Sequence, residues 1–164
     1  MLHDVLTGSM NIYIKIALLL WFPWQVAAGA CPLTIRSVGS LAFRCNGQLY
    51  TADSTHARGY AVKQTTVAYI NGANSETMVI DIEWKGVKGP GTFFINSKES
   101  SAEFTINHKT YSLKQPGGYL KIVIIRAKQQ GSFVLLSGTF EGQLQDKNGN
   151  KAVITEGRFE TVTL

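Results

Sequence analysis

Three groups of residues have the side-chain types that do chemistry. The first is Asp53-Ser54-Thr55-His56. It holds the acid, hydroxyl and imidazole of a hydrolase triad, but in an order and spacing that fit no such template. The chain also has no Gly-x-Ser-x-Gly elbow, so the segment reads as a polar loop between strands. The second is Asp81 and Glu83, two residues apart on an alternating stretch and next to Trp84. Two carboxyl groups flanking a glycosidic bond are what a glycoside hydrolase uses, and an indole can stack on a sugar ring. The alternation of Met78, Ile80 and Ile82 favours another arrangement, with the carboxylates on a solvent face and the indole in the core. The third, Gly86-Val-Lys-Gly-Pro-Gly91, resembles a phosphate loop in composition only. It lacks the Gly-Lys-Ser/Thr ending, no helix follows, and it reads as a flexible connection. His108, beside Asn107 and Lys109, reads as a turn residue. With His56 distant and no third ligand near either histidine, neither a metal nor a cofactor is expected.

The elements that must position these residues begin after an export signal. Lys15 precedes the apolar run Ile16–Phe22, Pro23 breaks it, and Ala28-Gly29-Ala30 puts small residues where signal peptidase needs them. Residues 1–30 are therefore expected to be a signal peptide, with Met10 a plausible true start because the first nine residues add nothing to this plan. A retained membrane anchor is the alternative, but the run is short for a span and Gln25 interrupts it. Residues 31–164 then form one domain outside the cytoplasm, in the periplasm or cell envelope or secreted.

Two readings of Cys31 stand. With Cys45 it makes an even count in an oxidising compartment, so a Cys31–Cys45 disulfide is expected. Closing that loop of about 14 residues would contribute about 3 kcal/mol in the loop-entropy picture. Alternatively, Cys31 directly follows Ala-Gly-Ala and is a candidate for lipid attachment, although Ala28 stands where a lipobox has a bulky aliphatic residue.

Alternation and turn signals place strands around Leu41–Cys45, Leu49–Thr51, Tyr60–Ile70, Met78–Trp84, Thr92–Ile95, Phe104–His108, Leu120–Ile125, Phe133–Leu144 and Ala152–Val162. Asn46-Gly47 reads as a hairpin turn, Asn71-Gly72 as the end of a strand, Lys147-Asn148-Gly149-Asn150 as a turn, and Gly157 as a bulge. Cys31–Ser40 reads as a lead-in. About eight to ten strands spaced roughly 12 residues apart argue for an all-β fold. The expectation is a single antiparallel β-sandwich, immunoglobulin-like or jelly-roll-like.

The net charge is +5, and the leader contributes one charge of each sign (Asp4, Lys15), so the domain keeps it. The cations are scattered singly, so no nucleic-acid partner is expected. The loops Asp53–Arg58, Gly86–Gly91 and Gln115–Gly118 lack apolar periodicity and are expected at the sandwich ends, some of them as neighbours. Lys85, Lys88 and Lys114 would then give a mildly basic partner-binding surface.

The C-terminal third, Ser137-Gly-Thr-Phe-Glu-Gly-Gln-Leu144 followed by Gly149-Asn150 and Val153-Ile-Thr-Glu-Gly-Arg-Phe159, resembles the closing hairpin of a family of small bacterial envelope lipoproteins. Asn46-Gly-Gln-Leu-Tyr-Thr-Ala52 matches that family's early hairpin. The resemblance implies a β-sandwich and an envelope location and brings no catalytic residues with it. The expected function is a non-enzymatic, exported binding module whose partner is an envelope protein or glycan. The alternative is a glycan-acting hydrolase using Asp81 and Glu83.

Overall fold

A computed structural model describes residues 38–164 apart from Glu76. These residues fall within one unit, Ile35–Leu164. The expected signal peptide (1–30), the start at Met10 and Cys31 lie outside the described residues.

Among the described residues every regular element is a strand: β1 (Val38–Cys45), β2 (Gln48–Thr51), β3 (Arg58–Val62), β4 (Val67–Ala73), β5 (Met78–Trp84), β6 (Gly91–Ile95), β7 (Ser101–Ile106), β8 (Lys109–Ser112), β9 (Tyr119–Gln130), β10 (Phe133–Gln145) and β11 (Lys151–Thr163). The fold is all-β and antiparallel, as the alternation implied. Hydrogen bonding runs β2-β1-β11-β10-β3-β4-β5-β7-β8, with β9 on the other flank of β10 and β6 outside β9.

The long strand β10 joins the two layers. Its start pairs with β3 on one side and β9 on the other. Its middle pairs with β11, and its last residue, Gln145, meets Ser112 of β8. The layer β3-β4-β5-β7-β8 therefore faces the layer β2-β1-β11-β10-β9-β6. Between them lie the alternate, inward-facing side chains of both. Phe43 of β1 packs against Phe104 of β7 and Phe140 of β10, with ring centroids 5.3 and 5.9 Å away. Each fully buried side chain of this size stabilises the fold by about 1.5–3 kcal/mol.

Turn chemistry sets the hairpins. Asn46 and Gly47 both have positive φ (49° and 85°) and join β1 to β2 as expected. Asn107 and His108, at 48° and 64°, do the same between β7 and β8. The expected strand Phe104–His108 thus stops at Ile106, and His108 is a turn residue.

Four expectations need correction. Tyr60–Ile70 is two strands, broken by a turn at residues 63–66 that closes on Thr66 with φ of 55°. Asn71-Gly72 does not end a strand; both lie inside β4, where a Cβ on Gly72 would crowd Leu41 and Ala52 at 3.1–3.3 Å. The lead-in ends earlier than Ser40, because Val38–Ser40 already pair with β11. The loop Gly86–Gly91 is pinned, because Val87 is buried and its N–H donates to the carbonyl of Thr66 at 3.1 Å.

Candidate functional site

Among the residues expected to do chemistry, the structure separates more than it gathers. Asp53-Ser54-Thr55-His56 is a surface turn, with the His56 N–H donating to the Asp53 carbonyl at 2.9 Å. The ring Nδ1 of His56 stands 3.9 Å from the Asp53 carboxylate and 3.3 Å from the Thr55 hydroxyl. Ser54 joins the backbone instead, its carbonyl accepting the Gly39 N–H at 3.0 Å.

Asp81 and Glu83 lie on the outer face of β5, the Cα atoms of such i, i+2 residues being about 6.6 Å apart along a strand. Asp81 is exposed and accepts a hydrogen bond from Asn71 Nδ2 at 2.7 Å. Across the sheet Asp81 faces Glu103 and Glu83 faces Ser101. Trp84 points the other way, into the core at 1% exposure, with Phe93 6.1 Å from it. An indole inside and two carboxylates outside cannot converge on one sugar. The indole N–H of Trp84 is buried without an acceptor among the described residues. An unmade hydrogen bond of that kind costs about 1–3 kcal/mol.

Lys85, Lys88 and Lys114 are all exposed. The register Glu83↔Ser101 and Glu103↔Ser112 puts Lys85 and Lys114 at the same end of one layer, two strand spacings (about 10 Å) apart. The loop Asp53–Arg58 is at the opposite end, tied to Ala73 by the Asp53 N–H at 2.8 Å. The lysines do not share one concavity. Lys85 lines a groove of about 440 Å³ beside β6, together with Trp84, Phe93 and Lys98.

Lys114 lines a larger groove of about 520 Å³ running along β8 to the β10–β11 turn. There it is joined by Lys109, Lys147 and His108, with amide and hydroxyl groups from Gln115, Gln145, Asn148, Thr110 and Ser112 between them. Glu103 and Asp146 are the carboxylates of this lining. Asp146 is occupied locally. Its carboxylate accepts the Asn150 side-chain amide at 2.7 Å and the backbone N–H groups of Asn148 and Asn150 at 2.8 Å. The Asn150 side chain, then those N–H groups and the charge of Lys109, hold its carboxyl below the usual carboxylate range against the opposing effect of burial. Asp146 is buried and fixed in its turn, and the lining holds three lysines against the two carboxylates, an excess of positive charge that can favour an anion-bearing partner.

Sequence reasoning missed Lys109 and Lys147. The signal for Lys109 was Asn107-His108, two residues tolerant of positive φ that predict a turn and hence a further strand, β8. Lys147 sits in a turn that was foreseen, but its neighbour across the layers was not, because only the β8–β10 contact brings it to Lys114. Among the described residues, no group of three or more His, Cys, Asp or Glu side chains is placed to hold a metal ion. Cys45 is buried at the end of β1, and burial pushes its thiol pKa up.

A family model described as a domain of unknown function (DUF6252) matches residues 39–163, from β1 through β11. No curated protein and no solved structure matches.

Proposed function

Since the chain belongs to the DUF6252 domain family, and that family carries no assigned chemistry, we propose from the molecule itself that it is an exported, non-enzymatic binding module of the cell envelope. The observation that carries this reading is the groove along β8, where Lys109, Lys114 and Lys147 meet with amide and hydroxyl groups between them. Such a surface suits an acidic envelope protein or an acidic glycan. Complementary charge speeds encounter with that partner and disfavours basic ones. Rigid sandwiches commonly recognise ligands with loops and strand ends, and this groove is made of both.

Export is supported by the leader, with Lys15, the apolar run Ile16–Phe22 and Ala28-Gly29-Ala30 in signal-peptide order. The outward carboxylates of β5 and the buried indole favour a binding role over glycan hydrolysis. A pull-down from envelope extract tests the proposal. The wild-type protein retains an acidic partner, and the variant K109E/K114E/K147E does not. Equal retention by both proteins overturns the groove as the site.

A further inference from the structure

The sheet has a second surface that the lysine groove does not use. Among the described residues β6 pairs on one side only, with β9. Its outer edge is a row of backbone groups with no strand partner, and the strand sequence Gly-Thr-Phe-Phe-Ile carries no charge. Phe94, at 75%, is the most exposed of the large apolar side chains in the described chain. Natural edge strands usually avoid that combination, because it templates the addition of another strand. Alongside β6 runs the groove of about 440 Å³, with Trp84, Phe93, Phe94 and Ile95 as its apolar lining and Lys85 and Lys98 on its rim with Glu99. Trp84, which lines it, is also the residue whose indole N–H has no acceptor.

We infer that the edge of β6 is a strand-addition site for an extended, acidic polypeptide segment. Alternate side chains of an added strand fall on opposite faces. One set lies beside Phe94 and the other beside Phe93 and Ile95, and the groove that these three residues line has lysines on its rim. A second copy of this chain fits less well. A second copy paired at this edge would bring its own rim lysines, Lys85 and Lys98, against this groove. Like charges opposite one another destabilise a strand pair, whereas glutamates or aspartates in those places are attracted. The edge thus selects against itself and for an acidic strand. This site is independent of the groove along β8.

The probe is a short capped peptide alternating Glu with Val and Thr. Its controls are the same peptide with Lys for Glu and one with proline at its centre, which cannot complete the ladder. Amide hydrogen exchange is followed along the full chain. The acidic peptide is expected to slow exchange in residues 91–95 by about tenfold or more. The lysine and proline peptides should leave it unchanged, and so should the acidic peptide with Phe94→Glu, an exposed position whose change spares the core. Lys85→Glu with Lys98→Glu should weaken the acidic peptide and admit the lysine one. The inference is overturned by protection of 109–114 and 145–148 instead of 91–95, by equal binding of the lysine peptide, by a Phe94→Glu protein that binds as well as wild type, or by protection of β6 at high protein concentration without any peptide.

Discussion

At the scale of single residues, the motifs behind the family resemblance are packing devices. A Cβ on Gly157 would run into the Phe140 carbonyl and come within 2.7–2.8 Å of its ring. The Phe140 and Phe159 rings lie 6.4 Å apart in the core. Gly157→Ala is therefore expected to destabilise the protein by about 1–3 kcal/mol, read as a lower urea midpoint at unchanged slope. The bulge expected at Gly157 is present, but Glu156 supplies its positive φ (52°), and Thr155 and Glu156 together oppose Glu141. A glycine inside the expected strand predicted an irregularity here. It could not tell the residue that bends the backbone from the one that makes room for a ring. Asp146 gives a second prediction. Its carboxyl pKa is lowered by the Asn150 side chain and nearby N–H groups. The stability it contributes is therefore complete above the ordinary value of 3.8 and is lost as pH falls through the lower folded value. Asp146→Asn should lower stability at neutral pH and flatten its decline below about pH 4, as thermal unfolding across an acid series would show.

At the scale of elements, the sequence was most legible where turns use small or polar residues. Asn46-Gly47 announced the first hairpin and Lys147–Asn150 the last. The turn at residues 63–66 was invisible because it is Lys-Gln-Thr-Thr, and Thr66 takes its positive φ without glycine or asparagine. The opposite error came at Asn71-Gly72, where glycine serves close packing against Leu41 rather than a turn. The loop Gly86–Gly91 looked unanchored because one apolar residue carries no periodicity, yet Val87 fastens it to the core. Val87→Ala should cost about 2 kcal/mol for two lost methyl groups and speed amide exchange in residues 86–91. The lysine groove was half legible. Lys114 was named and Lys109 was signalled by the Asn107-His108 turn, but Lys147 reaches them through the β8–β10 contact between distant segments, which no local pattern encodes.

At the scale of the whole molecule, the proposed function rests on an expected export leader in the sequence, a β-core and an excess of positive charge. The expected Cys31–Cys45 bridge would fasten the start of the domain to the end of β1. In protein taken from its native envelope and unfolded without reductant, Cys45 should then resist iodoacetamide, and the intact mass should carry no lipid. Labelling of Cys45 together with a diacylglycerol-sized increment on the N-terminal peptide would identify a lipoprotein instead. The sequence carries a net charge of +5, and along β8 the fold brings three lysines into one concavity. Exposed charges act over about 8 Å at physiological ionic strength, so a partner held there must be sensitive to salt. The most direct test is the affinity of the retained partner across a salt series, measured for the wild-type protein and for K109E/K114E/K147E. Wild-type binding is expected to weaken steadily with salt and to be at least about tenfold tighter than the variant's at low salt, the two converging as charge is screened. Identical affinities and identical salt dependence for the two proteins would contradict it.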